Sequence, residues 1–410
     1  MIYLLCSTIR PETFITTHNE WMDKCKYPQH VRTKVIIDSA IDRDVLVNYD
    51  VMLYQGDSVG ITKPLTTLTM SLQNSGLSDE DIIVVMSDDF FPPADWDVFL
   101  LDQFSNFDGA LNVYDGGPPA VQDNLITIPI MTYGCLKKLN YIVYNPAYTH
   151  MYSDNELFDI LTGLNAIKRT DKAPEHTFEH RHWTTKSRQK DETDSILGKI
   201  SSTDHAVYIA RKKMSIAQRL QTDFNPTPIV LSILICTIEG RETELRKLMT
   251  KLSPQLKDSV ELLILSDNRE VTIGKKRDDL LKLASGKYVC FVDDDDMVSA
   301  DYVDSILYAC EYNADCVGIR GVYVVAGRPP KDFVHSVVHK DKGWHETKEA
   351  YFRTPNHLNP IKRSIALKVG FNPDRAHAED LEFSNAVAPL LETEYYMPNV
   401  IYKYQFNPRK

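Results

Sequence analysis

The stretch Gly286-Lys287-Tyr288-Val289-Cys290-Phe291-Val292 is rich in β-formers and runs directly into Asp293-Asp294-Asp295-Asp296. An apolar run of this kind reads as a buried strand, and its abrupt ending in adjacent carboxylates constrains the chain more than any other segment. Like charges this close repel unless a cation lies among them. A hard divalent cation suits the role because it takes oxygen ligands. The competing reading is a solvated acidic loop. A weaker copy stands upstream, where Asp81-Ile82-Ile83-Val84-Val85-Met86-Ser87 leads into Asp88-Asp89. Two such endings predict two related domains.

The length of 410 residues accommodates two to three domains. A net charge of −11 argues against polyanion binding over the whole surface, although a local basic groove is compatible with it. The cysteines (Cys6, Cys25, Cys135, Cys236, Cys290, Cys310 and Cys316) form no C-x-x-C pair and are odd in number. Neither a zinc knuckle nor a disulfide framework is indicated, and a reducing compartment fits. The opening apolar run stops at Arg10-Pro11 and lacks a basic start, so it predicts no signal peptide. No stretch is long enough to span a bilayer, and a cytoplasmic location is expected.

Strands and helices alternate. In the first half, strands are predicted over residues 2–8, 31–38 and 50–54 and up to Ser87, with helices over 13–26 and 65–72. Such alternation implies a mostly parallel α/β sheet, which binds ligands at the carboxyl ends of its strands. Asp38 and Asp88 fall at such ends. The segment 206–220 reads as helical and carries Arg211-Lys212-Lys213, and Asn225-Pro226-Thr227-Pro228 then breaks the pattern. The programme restarts with strands over 229–237, 260–265 and 289–292 and helices over 239–252 and 273–284. The expected organisation is an N-terminal domain over 1–200, a helical linker over 201–228 and a C-terminal domain over 229–410.

In the second half, five separated motifs stand in order. They are Leu231 to Thr237, then Asp267, then Gly274 with Lys276-Arg277-Asp278, then Ala284 to Tyr288 with Asp293 to Asp296, and finally Ala378-Glu379-Asp380. Together they resemble the GT-A glycosyltransferases of family 2. The resemblance implies inverting transfer of a sugar from a nucleotide-sugar, usually UDP-linked, to an acceptor hydroxyl, with Mn²⁺ or Mg²⁺ as cofactor. It places Thr237 at the nucleotide base, Asp267 on the uracil and Arg277 near the pyrophosphate. Asp293 and Asp295 match the D-x-D pair, the first facing ribose and the second the metal; both are candidate metal ligands. Asp380 matches the base and Glu379 its orienting neighbour. A charge pair at a helix N-terminus also explains Glu379-Asp380, and the two readings are compatible. His357 falls on the acceptor side, where a structural histidine is an equal alternative. Lys403 stands where the family often has a histidine, which implies direct phosphate pairing in place of metal ligation.

The first half resembles a GT-A domain of the kind found in phage-encoded glycosyltransferase-like proteins. This resemblance places Thr8, Arg10 and Asp38 at the nucleotide-sugar, Asp88 and Asp89 at a metal, and Asp154 as a second base. His182, on the same side as His180 if the segment is extended, is the candidate histidine ligand. The fold expected is therefore two tandem GT-A, Rossmann-like domains with mostly parallel sheets, joined by the helical linker. If the chain is phage-encoded, its location is the host cytoplasm.

The acceptor stays open between a glycan and a hydroxymethylated base of phage DNA. The latter requires a basic groove, and Lys186, Arg188, Lys190, Arg211, Lys212 and Lys213 are the dense cluster available. Two other classes compete with transfer: a non-catalytic sugar-nucleotide or glycan-binding protein, and a divalent-metal phosphohydrolase.

Overall fold

The computed structural model describes residues 1–38, 46, 49–54, 60–73, 75–117, 124–181 and 192–406. The chain forms two compact units. Met1–Leu46, Met52–Gln73 and Leu77–Pro226 make the first, and Thr227–Lys410 with two short stretches of the first half make the second.

In the first unit, Ile2–Thr8 is the central strand, flanked in parallel by Val31–Asp38 and Ile82–Met86. Every residue of Ile82–Met86 is buried, as expected for a strand covered on both faces. Beyond it the sheet turns antiparallel through Ile130–Thr132 and Ala110–Asn112. The helix Pro11–Asp23 begins with proline at its first position, where the missing N–H costs nothing, and buries Phe14, Thr17, His18 and Trp21.

Residues 201–226 of the segment expected to be a helical linker fall within this compact unit. The helix Glu192–Arg211 and the short helix Ile216–Arg219 lead back to a buried Glu156, which accepts from Arg211 Nε at 3.0 Å and Arg219 Nε at 2.8 Å. Arg211 is thereby buried and neutralised, and Lys212 lies near Asp159 at 3.7 Å. The basic cluster expected from sequence thus loses one member, Arg211, because a buried carboxylate needs cationic partners. Lys186, Arg188 and Lys190 lie outside the described residues.

In the second unit, Leu231–Ile238 pairs in parallel with Val260–Asp267 on one side and Tyr288–Phe291 on the other. Leu231, Ile233 and Ile235 point into one core layer, as the period of two requires. The helix Glu242–Leu252 covers that layer with Leu245, Leu248, Met249 and Leu252, one apolar stripe at helical spacing. The helix Ile273–Leu283 is capped by the Thr272 side chain, which accepts from Lys275 N at 3.0 Å. Its Gly274 lies so close to the Asn372 carbonyl that a Cβ has no room.

Past the third parallel strand the sheet becomes mixed. Ile361–Lys362 pairs antiparallel with Tyr288–Phe291, and Cys316–Val325 pairs antiparallel with Lys331–His335 and parallel with Glu394–Phe406. The mostly parallel sheet expected from sequence therefore holds for three strands in each unit. Both units are mixed α/β beyond that, because antiparallel pairs such as Ile361–Lys362 on Tyr288–Phe291 join the parallel ones.

Candidate functional site

The three parallel strands of the second unit end together, and the residues singled out from sequence collect at those ends. Thr237 is the second-to-last residue of the first strand and donates from Oγ1 to Asp294 Oδ2 at 2.7 Å. Asp267 closes the second. It pairs with Lys276, whose Nζ also donates to the Thr237 carbonyl at 2.9 Å, and it accepts from Val271 N at 3.0 Å. Both Asp267 oxygens are thus engaged, so a nucleobase there would share the carboxylate with Lys276.

The four consecutive carboxylates divide by direction. Asp294 and Asp296 are buried, whereas the Asp293 and Asp295 side chains keep 28% and 23% of their exposure. Asp296 is sealed from behind by Tyr402 Oη at 2.8 Å and Gln405 N at 2.7 Å. Burial, with the charge of Asp293 beside it, pushes its carboxyl up to about 8. Burial also raises Asp294, against the hydrogen bond from Thr237 and the charge of Arg241. Asp293 goes the other way: burial opposes its ionisation, but Arg277, His357 and Arg241 together hold it well below the usual carboxylate range. The two outward side chains, Asp293 and Asp295, are the residues that the sequence analysis offers as a D-x-D pair.

Arg241 was not expected here. It reaches from the loop after the first strand, donating from Nη1 to Asp294 Oδ1 and from Nη2 to Asp295 Oδ2, both at 2.6 Å. Its only mark in the sequence is a place four residues after Thr237.

Arg277 joins the acidic cluster to the helix Glu379–Val387. It is buried, donates from Nη2 to Asp293 Oδ1 at 3.1 Å, and places Nε 3.2 Å from Glu379 Oε1. Its guanidinium lies 5.2 Å from the Phe291 ring centroid. Among the described residues, Nε and Nη1 are buried with no hydrogen-bond partner, so the contact with Glu379 is an ion pair and not a hydrogen bond. Asp380 follows Glu379 at the second helical position, its Oδ1 accepting from Leu381 N at 2.8 Å. Ala378 starts the helix at φ 60°, a left-handed conformation unusual for a residue with a side chain.

His357 is buried 3.6 Å from Asp293 Oδ2, and among the described residues neither ring nitrogen has a hydrogen-bond partner. It lines a cavity of about 220 Å³ that Asp380 also borders. Lys403 is exposed, while Tyr402 and Tyr404 on the alternate positions of its strand face the site. The alternation of strand side chains therefore turns Lys403 away from the cluster.

In the first unit, Arg10 grips Asp88 with two bonds, Nε to Oδ2 at 2.9 Å and Nη2 to Oδ1 at 2.5 Å, and Thr8 Oγ1 accepts from Arg10 N at 2.9 Å. Asp89 accepts from Ser87 Oγ at 2.6 Å and meets His180 Nε2 at 3.3 Å. His180 stacks on Phe90 with centroids 4.1 Å apart. Among the described residues it is thus His180 that meets Asp89; His182 lies outside them. Asp38 ends its strand as expected. Asp154 stands second in the helix Ser153–Gly163, and burial pushes its carboxyl up to about 6 against the hydrogen bond from Asn155 N.

Among the described residues, no group of three or more His, Cys, Asp or Glu side chains is placed to hold a metal. The donor chemistry at Asp293 and Asp295 still fits a hard cation, since sites of the Mg²⁺ type take one or two carboxylates and complete the shell with substrate phosphates and water.

No family model matches the chain. A glucosyl-dolichyl phosphate glucuronosyltransferase of Haloferax volcanii is 26% identical over 143 residues, which are 33% of this chain and 44% of that protein. The match thus spans less than half the length of that relative. Among solved structures, S. aureus TarS 1-349 in complex with UDP-GlcNAc aligns with a TM-score of 0.34 and 16% identity, over 43% of this chain and 59% of that one. The structure of S. aureus TarS aligns with a TM-score of 0.34 and 18% identity, over 44% of this chain and 37% of that one. No helix among the described residues is long and apolar enough to cross a membrane. The chain is a mixed α/β protein with a weak sequence similarity to a glycosyltransferase.

Proposed function

We propose that the second unit transfers a sugar from a nucleotide-sugar, UDP-linked, to an acceptor hydroxyl with inversion. The observation that carries the reading is Arg277, which ties the acidic cluster to the helix of Glu379 and Asp380 and so makes one site of residues about a hundred positions apart. The sequence similarity to a glucuronosyltransferase supports it.

In this reading Thr237, Asp267, Arg277 and Asp293 bind the nucleotide. Asp293 and Asp295 would hold Mn²⁺ or Mg²⁺ with the diphosphate, and the ion would supply positive charge where the leaving group gathers negative charge. Asp380 takes the proton from the acceptor hydroxyl as its oxygen forms the new bond to the anomeric carbon. The bond from that carbon to the diphosphate breaks on the opposite face, which inverts the centre. Glu379, held by Arg277, orients the helix start that presents Asp380. His357 stands beside the acceptor.

We also read the two units as tandem GT-A domains, the second over 229–410 and the first over 1–200, with Arg10, Asp88, Asp89 and Asp154 as the matching set. The acceptor is better read as a glycan than as a hydroxymethylated base of DNA, because Arg211 is withdrawn from the basic cluster.

The test is nucleoside-diphosphate release with Mn²⁺ across a panel of nucleotide-sugars, for wild type, Asp295→Ala and Asp88→Ala. Release lost in Asp295→Ala alone places the chemistry in the second unit. Losses with different donors in the two variants mean two active units. Full release in Asp295→Ala overturns the reading.

A further inference from the structure

The cavity beside Asp380 has a composition that the transfer reaction alone does not require. Its walls include Tyr323, Trp344, Tyr351, Arg353 and Tyr404. At about 220 Å³ it is smaller than a pocket for a whole nucleotide-sugar and suits a single sugar-sized group. Tyr323 and Tyr404 stack with centroids 5.1 Å apart, and Tyr351 meets Tyr323 edge-on at 5.2 Å. Trp344 is fixed by Nε1 contacts to Thr354 Oγ1 at 3.2 Å and Ser384 Oγ at 3.3 Å. Ser384 belongs to the helix that carries Asp380, so this wall and the base are held by one element.

Arg353 is the unusual member. Its guanidinium carbon lies 4.8 Å from the Trp344 ring centroid and 5.3 Å from that of Tyr351. Among the described residues it donates from Nη1 alone, to the carbonyls of His345 at 3.2 Å and Phe352 at 3.1 Å. Among the described residues it pairs with no carboxylate. The carboxylates whose charge it senses are Glu346, which is taken by Lys331 Nζ at 2.8 Å, and Asp380, which borders the same cavity without an ion pair to it. Among the described residues, the Nε and Nη2 edge, the fork that grips carboxylate or phosphate with two parallel bonds, has no hydrogen-bond partner. An arginine beside two rings at a cavity wall, with that fork unspent among the described residues, can take an anion from outside the chain.

Resting on the transfer reading above, we propose that this cavity is a subsite for an acidic sugar residue. The aromatic walls pack against its ring, and the Arg353 fork pairs with its carboxylate or phosphate. The acidic residue belongs either to the donor or to the acceptor, and the two sources share this chemistry.

The experiment is titration calorimetry on the full chain with Mn²⁺. One arm compares UDP-glucuronate with UDP-glucose. The other compares methyl glucuronide with methyl glucoside in the presence of UDP. In one arm the acidic compound should bind about tenfold more tightly to wild type, the scale of a charge-assisted hydrogen-bonded pair. Arg353→Gln should erase that preference while leaving UDP affinity unchanged. Arg353→Lys, which keeps the charge but loses the fork, should retain part of it and serves if the glutamine variant does not fold. UDP binding with no acid preference in either arm overturns the subsite and leaves the transfer reading standing, as does a preference that survives in Arg353→Gln. A protein that does not bind UDP at all overturns both.

Discussion

Arg241 and Arg10 carry the same device in the two units. Each follows the first strand within a few residues, and each donates two bonds to the carboxylates that follow the third parallel strand. The guanidinium thus supplies the positive charge that four adjacent carboxylates demand. Replacing Arg241 with alanine has two expected outcomes. Mn²⁺ alone should bind the nucleotide-free protein more tightly, read by electron spin resonance titration, because Asp295 is released to it. The fold should lose about 3 kcal/mol in denaturant titration, because Asp294 is then a buried carboxylate without its cation. Asp154 makes a pH prediction for the first unit. Its folded pKa of about 6 lies above the ordinary carboxylate value, so the fold loses stability as pH rises from about 4 through 6 and is level above that. Asp154→Asn should flatten that slope in melts taken across the range, and any turnover that uses Asp154 as base should fall below pH 6. At this scale the sequence exposed the acidic residues but not their directions. Nothing in a run of four aspartates says that Asp294 and Asp296 turn inward. Arg241 carries no signal in the sequence beyond its place after Thr237, and Lys276 stands there only as a neighbour of Arg277 in its motif, because their partners are fixed by strand ends that meet only in the fold.

Two helix starts repeat as closely as the arginines do. Tyr152 at φ 64° and Ala378 at φ 60° each precede a helix whose second residue is the proposed base, Asp154 or Asp380. A left-handed residue turns the chain sharply into the first helical turn, at a cost that is higher for branched side chains. Ala378→Val should therefore destabilise the second unit by ~1–3 kcal/mol and lower turnover more than it lowers UDP affinity, since it moves Asp380 and not the nucleotide side. The strand before the acidic cluster has its own anchor. Glu261 is buried and accepts from Ser232 Oγ at 2.5 Å and from Gly286 N at 3.2 Å. A Cβ on Gly286 would stand 2.6 Å from Ser232 N, against backbone. Gly286→Ala should cost ~1–3 kcal/mol and loosen Asp293 to Asp296 together, measured as a lower melting temperature with weaker UDP binding. The early elements of each unit were legible because their apolar periods are long and clean, as in Leu231–Ile238 and Glu242–Leu252. The later strands were not, since a two-residue strand such as Ile361–Lys362 has no period to read and exists only by pairing with Tyr288–Phe291.

For the molecule as a whole, both units bury a histidine in the neutral form. Burial brings His18 in the first down to about 4 and His335 in the second down to about 3, the latter helped by the charges of His357 and Arg353. A folded pKa below the unfolded value near 6.5 gives stability that is complete above about pH 6.5 and is lost as pH falls toward 4. Unfolding should therefore take up protons across that window, and melting temperatures should fall with it in each unit. The central claim concerns where a nucleotide lies in the second unit. Amide hydrogen exchange with and without UDP and Mn²⁺ tests it most directly. The account predicts slowed exchange in the loop of Thr237 to Arg241, at Asp293 to Asp296 and along Tyr402 to Gln405. Slowed exchange confined to the first unit, or none at saturating UDP, would contradict it.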